Sequence, residues 1–165
     1  MRIAISTAAA FALALSFGVT LVGLGDVMAA DETANKATVR EAFDAWAAGT
    51  GSPYDLLADD VEWTITGNSA AARTYPDRAA FIGEVIRPFN ARMSVGLKPK
   101  IRSIHAEGDT VIVFFDAAGT ARDGKPYENT YAWFLDLKDG RIVKASAFFD
   151  SIAFDELWKI PVAAD

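Results

Sequence analysis

Hydrophobic positions in the first part of the domain predict three helices. Apolar side chains recur at helical spacing over residues 38–48, which indicates an amphipathic helix. The stretch "SPYDLLA" predicts a second, short helix, with Ser52 as its cap and Pro53 in its first turn. A third helix is predicted to begin after Asp77, and Pro88 should kink or interrupt it.

The rest of the chain alternates between apolar and polar residues, which predicts β-strands. The predicted strands are 61–66, 98–106, 110–118, 127–137 and 141–150. Two turn signals fix their register: the Asp-Gly pair at 139–140 suits a two-residue hairpin loop, and "RDG" at 122–124 suits a three-residue loop. The first turn places Ala132 opposite Ala147, and the second places Phe114 opposite Ala132.

This register divides the strand residues between two apolar faces. One face is predicted to carry Ile112, Phe114, Asp116, Thr130, Ala132, Phe134, Ala145, Ala147 and Phe149, and the other Val113, Phe115, Tyr131, Trp133, Leu135, Ser146 and Phe148. We expect the helices to cover the first face, and a second copy of the chain to cover the aromatic second face. The alanines of the first face either leave room for a ligand or let a helix approach closely, and the pattern is compatible with both.

Composition and charge limit the classes of function. The chain has 165 residues, of which 52% are hydrophobic, and a formal net charge of −6. This length suits one domain with a substantial core, and the negative charge argues against nucleic acid as a partner. The chain has no cysteine, which excludes disulfides, thiol nucleophiles and thiolate metal sites. Its single histidine, His105, argues against a zinc site, and we expect neither a metal nor another cofactor.

The first 29 residues are typical of a secretory signal peptide. Arg2 precedes a long uncharged apolar run, and small residues lie before a cleavage site after Ala29. We therefore expect residues 1–29 to be removed, residues 30–37 to form a flexible mature N-terminus, and residues 38–160 to form the domain. The protein would then be periplasmic or secreted, with no membrane association. An uncleaved membrane anchor is the alternative, because the apolar run approaches spanning length.

Two stretches carry a family resemblance. "LLADDVEWTITGNS" begins at the end of the short second helix, and "DGRIVKASAFFD" ends the last hairpin. With the three helices and the long strands, they make the chain similar to the SnoaL-like branch of the nuclear transport factor 2-like, ketosteroid-isomerase-like superfamily. The resemblance implies an α+β fold, in which a curved, mainly antiparallel sheet forms a cone around three N-terminal helices. It also implies an apolar pocket in the cone and frequent dimerisation through the outer sheet face.

The catalytic residues of that superfamily are mostly missing at the matching positions. The oxyanion acid, general base and helix tyrosine of the ketosteroid isomerases fall on or near Ala132, Ile65 and Phe43. The acid of the polyketide cyclases falls on Ala147, as does one acid of limonene epoxide hydrolase. The arginine of that hydrolase falls on Phe114, and only its other aspartate is matched, by Asp116. The resemblance therefore implies the fold more strongly than any one activity.

Asp116 is the candidate catalytic residue. The predicted register places it on the cavity face, where burial would raise the pKa of its carboxyl and suit it to act as a general acid or base. A position at the mouth of the cone, or an ion pair with a cation such as Lys100, is the alternative. The candidate ligand-binding residues are Phe43, Trp63, Tyr75, His105, Phe114, Thr130, Phe134 and Phe149. Asp150, in contrast, is expected to cap a closing helix, "SIAFDELW".

These features predict a protein that binds a small apolar molecule in the cone pocket without a complete known catalytic set. An isomerase, cyclase or hydrolase that acts on a small hydrophobic substrate through Asp116 is the alternative. A homodimer is expected through the outer sheet face, with Phe115, Tyr131, Trp133 and Phe148 in the interface. Without a second copy, that face would suit a different protein partner.

Overall fold

The computed structural model describes residues 24–162, with side chains from residue 31 onward. Its helices are α1 (Leu24–Ala48), a 3₁₀ helix (Pro53–Leu56), α2 (Arg78–Phe81), α3 (Arg87–Ala91) and α4 (Ser151–Trp158), and a π-helical turn (Ile82–Ile86) joins α2 to α3. Its strands are β1 (Leu57–Ile65), β2 (Thr74–Tyr75), β3 (Met93–Glu107), β4 (Thr110–Ala121), β5 (Pro126–Lys138) and β6 (Arg141–Phe149). Helices thus precede the long strands, as the hydrophobic pattern predicts.

The six strands form one curved sheet in the order β2-β1-β6-β5-β4-β3. All neighbours are antiparallel except β1 and β6, which run parallel. The helices α1 and α2 pack against one face of the sheet, and Tyr54 of the 3₁₀ helix contacts Trp63 and Trp133 on that face. The helix α4 follows β6 and contacts β5. The predicted α+β fold, a curved and mainly antiparallel sheet around N-terminal helices, is confirmed.

The first helix begins earlier than its apolar spacing predicts. α1 starts at Leu24, so residues 30–37, predicted to be flexible, are helical. Glu32 in this extension accepts a hydrogen bond of 2.7 Å from the backbone N–H of Gly108, in the β3–β4 turn. The predicted signal peptide lies outside the described residues up to residue 23. Within residues 24–162, no helix is both long and apolar enough to cross a membrane.

The predicted interruption of the third helix is present. Pro88 lies at the start of α3, directly after the π-helical turn Ile82–Ile86. Proline has no backbone N–H, and its ring crowds the carbonyl four residues earlier, which is that of Glu84. The wider π-helical turn relieves this crowding, and such turns are frequent beside functional sites.

The register of β4 with β5 is confirmed. Phe114 lies opposite Ala132, and Asp116 lies opposite Thr130, as the three-residue turn predicts. Gly124 in that turn has φ 83°, a left-handed conformation that glycine adopts without strain. Because the turn residue and the strand pattern agree, the sequence specifies which residues of these two strands share a face.

A β-bulge changes the register of β5 with β6. The hairpin begins as predicted, but Val143 has no partner on β5, so every pair beyond it is shifted by one position. Trp133 therefore lies opposite Ala147, and Ala132 lies opposite Phe148. The prediction that Ala132 faces Ala147 is wrong, because the turn signal specifies only the first pairs of the hairpin and the bulge lies beyond them.

In β4 and β5, the helices cover the face opposite to the predicted one. In β6, beyond the bulge, Ala145 and Ala147 lie on the covered side, as predicted. This covered face carries Val113, Phe115, Tyr131, Trp133, Leu135, Ala145 and Ala147, all of them buried. The outer face carries Phe114, Phe134 and Phe148, which are 36%, 39% and 47% exposed, together with Asp116, Thr130 and Ala132. Both faces are apolar, so hydrophobicity alone does not distinguish them. The structure buries Trp133, the largest side chain of the two faces, and leaves the face with the Asp116 carboxylate outside.

Three of the four residues predicted for a dimer interface are therefore inaccessible. Phe115, Tyr131 and Trp133 are buried beneath the helices, and the ring of Phe115 lies 4.9 Å from that of Phe43 in α1. Of the four, only Phe148 lies on the outer face. The assignment of Phe115, Tyr131 and Trp133 to an interface is wrong, because the two faces of β4 and β5 are inverted relative to the prediction.

Candidate functional site

A cavity of about 480 Å³ lies between the helices and the covered face. Most of its walls are apolar, and they include Trp46, Trp63, Ile65, Phe81, Val85, Phe89, Trp133, Ala147, Phe149 and Phe154. Its polar lining residues are Ser52, Tyr54, Asn90, Lys98 and Tyr131. A largely apolar cavity with a few polar groups is the usual form of a small-molecule site.

Aromatic rings that pack on one another form the walls. Trp63 and Phe81 stack with ring centroids 4.3 Å apart. Trp133 meets Trp63 edge-on at 5.2 Å, and Trp46 of α1 lies nearly parallel to Trp133 at 6.1 Å. Because each ring is held by another ring, the cavity is formed by the core packing itself.

A small residue at position 147 provides room at the floor of the cavity. Ala147 pairs with Ile65 of β1 on one side and Trp133 of β5 on the other, and it is buried. A larger side chain here would extend into the cavity. The family resemblance places the acid of the polyketide cyclases at Ala147 and the general base of the ketosteroid isomerases near Ile65. Both of these side chains are apolar in this protein.

Tyr54 brings a hydroxyl into this apolar space. Ser52 Oγ accepts a hydrogen bond of 3.1 Å from the Tyr54 N–H, and Asp55 Oδ2 accepts one of 2.9 Å from the Ser52 N–H. This capping box fixes the start of the 3₁₀ helix. The Tyr54 hydroxyl has no hydrogen-bond partner within residues 31–162. Burial raises the pKa of Tyr54 far above its usual value, so the phenol stays protonated.

Tyr131 supplies a second hydroxyl, backed by a buried hydrogen-bond chain. Its oxygen lies 3.1 Å from that of Tyr127, which accepts a hydrogen bond of 3.0 Å from Asn129 Nδ2. The Asn129 amide also donates to the Asp150 carbonyl and accepts from the N–H groups of Asp150 and Thr130. Burial raises the pKa values of Tyr131 and Tyr127, so both are neutral at physiological pH.

The rim of the cavity is an irregular part of β3. Its register with β4 shifts on either side of Val95. A Cβ at Gly119 of β4 would lie 2.7 Å from Met93 Cε and 2.7 Å from the Val95 carbonyl oxygen, so only glycine allows this close approach. Lys98 follows on the same strand, and it is the one charged residue among the described cavity-lining residues.

The structure brings some of the predicted ligand-binding residues together and separates others. Trp63 and Phe149 line the cavity. Phe43 is buried among the aromatic rings behind the cavity wall. Tyr75 is also buried, and its hydroxyl donates a hydrogen bond of 2.8 Å to the Ala71 carbonyl. The remaining predicted residues are His105, Phe114, Thr130 and Phe134, which lie on the outer side of the sheet.

Asp116 lies on the outer face and not in the cavity. Its Oδ2 accepts a hydrogen bond of 2.7 Å from Arg102 Nε, and its Oδ1 accepts one of 2.7 Å from the Thr130 hydroxyl. Hydrogen bonds from Arg102 and Thr130 hold the pKa of Asp116 below its usual value, whereas the sequence interpretation expects it to be raised. The prediction of a cavity-facing Asp116 is wrong, and an exposed ion pair, with Arg102 in the place of Lys100, is the arrangement observed.

The other polar candidates have structural or exposed positions. Asp150 caps α4 as predicted: its Oδ1 accepts hydrogen bonds of 2.9 Å from the Ile152 N–H and 3.4 Å from the Ala153 N–H. His105 is exposed near the end of β3, opposite Ile112. In the part of the chain that the structure describes, no group of three or more His, Asp or Glu residues could hold a metal ion.

Sequence interpretation missed both phenols of the cavity. It assigned Tyr131 to the outer face, and it treated Tyr54 only as part of a short helix. A signal was present in the sequence, because Phe115 and Trp133 share one face with Tyr131. Three large aromatic side chains on one sheet face are typical of a buried cavity wall as well as of a protein interface.

Comparisons with solved structures agree with the fold. The chain is similar to an NTF2-like protein from Burkholderia thailandensis E264, with 25% identity and a TM-score of 0.62 over 76% of this chain and 98% of that one. It resembles a candidate SnoaL-like polyketide cyclase from Jannaschia sp. CCS1, with 21% identity and a TM-score of 0.59 over 79% and 94%. It also resembles TerC, co-crystallised with polyporic acid, with 21% identity and a TM-score of 0.60 over 76% and 98%. A search among curated proteins finds no match.

The family itself is identified by its sequence model. The model of the SnoaL-like domain matches residues 39–145, more than half of the chain. The matched segment runs from α1 into β6 and includes cavity residues of the 3₁₀ helix, β1 and β5. This protein therefore belongs to the SnoaL-like domain family.

Proposed function

We propose that the protein binds a small, largely apolar molecule with flat rings in the cavity beneath the helices. The observation that carries the proposal is the cavity of about 480 Å³, walled by packed aromatic side chains and furnished with two neutral phenols. Such walls favour flat, apolar ring systems, and the phenols can orient a polar atom of the ligand. That TerC, a protein of similar fold, was co-crystallised with polyporic acid supports a small-molecule ligand.

Binding without catalysis is favoured over an isomerase, cyclase or hydrolase. The described cavity lining contains no Asp, Glu or His side chain, which are the usual groups for moving protons. Ile65 and Ala147, at the positions that the resemblance gives to catalytic acids and bases, cannot take that role. Asp116, the base of the enzyme alternative, is ion-paired on the other side of the sheet.

Replacement of Ala147 by leucine should block the cavity. The added methyl groups would occupy space between Ile65 and Trp133, and we expect the affinity for pyrene, a flat hydrocarbon probe, to fall at least about tenfold. Energy transfer to pyrene from the tryptophans that line the cavity measures binding. Ala118→Leu, on an exposed position of β4, is the matched control and should bind like the wild type. Equal affinities for all three proteins would refute the proposed site.

We also propose a homodimer through the outer face. Phe134 and Phe148 form an exposed edge-on pair, with ring centroids 5.8 Å apart, and Phe114 lies on the same face. Ion pairs between Arg102 and Asp116 and between Lys144 and Glu62 flank these rings. Charges of both signs beside an apolar centre suit a two-fold contact of the face with its own copy.

Substitution of Phe148 tests the proposed dimer. Phe148→Asp would place a carboxylate in the apolar centre of the interface, so it should convert a dimer to a monomer with unchanged circular dichroism. Sedimentation velocity at micromolar concentration measures the change. A monomeric wild-type protein would contradict the proposal and leave the face to a different protein partner.

Export is proposed as well, to the periplasm or beyond the cell. It is supported by the charged start, the apolar run and the small residues of positions 1–29. Mass spectrometry of the protein from whole cells should find a chain that begins at Ala30. A chain that keeps its initial residues would favour the membrane-anchor alternative.

A further inference from the structure

We propose that Tyr54 and Tyr131 form a pair of hydrogen-bond donors, and that the ligand is a flat, largely apolar molecule with a carbonyl oxygen bound between them. This inference rests on the proposed function, because it specifies the chemistry of the molecule that the cavity holds.

The hydrogen-bond chain behind Tyr131 determines where its proton points. Asn129 donates to the oxygen of Tyr127, so the proton of Tyr127 still needs an acceptor. If Tyr127 donates to Tyr131, this need is met, and the Tyr131 proton remains at the cavity wall. If Tyr131 instead donated to Tyr127, the Tyr127 proton would be buried away from the cavity without an acceptor in the described chain. The first direction is therefore more stable.

Tyr54 has a free proton for a simpler reason. Its hydroxyl makes no hydrogen bond within residues 31–162, although its ring is held by Trp46, Phe81 and Trp133 at centroid distances of 5.8–6.1 Å. The capping box at Ser52 fixes the backbone beneath it. A donor held in this way loses little freedom when it binds an acceptor, which favours affinity.

The two phenols line the same cavity and pack against the same indole ring. Their ring centroids are 5.9 Å and 6.3 Å from that of Trp133, so they flank a single indole. Burial raises the pKa of Tyr131, and electrostatic interaction with Tyr54 adds to this effect. Both groups are protonated at physiological pH and therefore present donors to the same region of the cavity.

A carbonyl oxygen matches this pair better than other polar groups do. Its two lone pairs can accept both hydrogen bonds at once. A cationic ligand would find no carboxylate among the described lining residues, and a buried anion would find only neutral donors because Lys98 lies at the rim. A pure hydrocarbon would leave both donors unpaired.

The test compares 9-fluorenone with fluorene, two flat probes that differ in a carbonyl and a methylene group. Displacement of pyrene gives both affinities. We expect the wild type to prefer fluorenone by about tenfold or more, and Tyr54→Phe and Tyr131→Phe each to reduce this preference about three- to tenfold. The double variant should bind both probes equally. Tyr75→Phe, which removes a buried hydroxyl outside the cavity, should keep the wild-type preference.

A second measurement needs no variant. The carbonyl stretching frequency of fluorenone should be lower when bound to the wild type than in an apolar solvent, since two donors weaken the C=O bond. An unshifted frequency, or equal wild-type affinities for the two probes, would overturn the donor pair and leave the binding cavity intact. Failure of pyrene and both other probes to bind would overturn the proposed function as well.

Discussion

Replacement of Phe115 by alanine is expected to destabilise the domain by about 3–5 kcal/mol. The Phe115 side chain is fully buried, and its ring lies 4.9 Å from those of Phe43 and Tyr131 and 5.0 Å from that of Trp133. Its removal would leave a cavity between α1 and the sheet that these rigid rings cannot fill by small movements. The free energy of unfolding in urea, followed by circular dichroism, measures the loss.

The adjacent residue provides a matched control. Phe114 is 36% exposed on the outer face, and Phe114→Ala should cost less than about 1 kcal/mol at low protein concentration. A larger loss that appears only at high concentration would indicate the proposed dimer, because Phe114 lies on the proposed interface. A greater loss for Phe114→Ala than for Phe115→Ala in the monomer would show that the two faces had been assigned the wrong way round.

The difference between Phe114 and Phe115 also shows what the sequence could predict. Alternation along β4 separates the two residues correctly, and Gly124 specifies the pairing of β4 with β5. Which face the helices cover depends on the total apolar area that each face can bury and on how the helices fit, and both faces of this sheet are apolar. Local pattern therefore gave the fold and the separation of the faces, but not which of them is inside.

The three alanines that the register grouped together have different environments. Ala132 lies on the outer face beside Phe148, Ala145 is buried next to Trp63, and Ala147 lines the cavity. The extra residue Val143 is responsible, because it moves the two β6 alanines to the other face relative to β5. No turn or glycine signal in the sequence marks this bulge.

The candidate site was predictable only in part, through Trp63 of β1 and Phe149 of β6. Trp63 lines the cavity as predicted, since it shares strand parity with Ile65. Tyr54 belongs to a four-residue 3₁₀ helix, whose direction depends on how it packs against the aromatic cluster. The donor role of Tyr131 depends on its contact with Tyr127 in the same strand and on Asn129, so it becomes visible only when the hydrogen bonds are known.

Replacement of Asn129 by leucine is expected to cost about 2–4 kcal/mol. The buried Asn129 amide makes four hydrogen bonds, which is its full capacity: to the Asp150 carbonyl, from the Asp150 and Thr130 N–H groups, and to the Tyr127 hydroxyl. Leucine has a similar size but would leave these partners unpaired in the interior. Urea unfolding measures the loss.

The same substitution should also weaken the donor pair of the cavity. Without Asn129, the oxygen of Tyr127 accepts no hydrogen bond from an amide and is free to accept one from Tyr131 instead. The Tyr131 proton can then point to Tyr127 and away from the ligand. We therefore expect Asn129→Leu to reduce the preference for fluorenone over fluorene, whereas Asn68→Leu, at an exposed loop position, should change neither stability nor preference. Reduced stability with an unchanged preference would show that Tyr131 is oriented without Asn129, and an unchanged stability would contradict the burial of this amide.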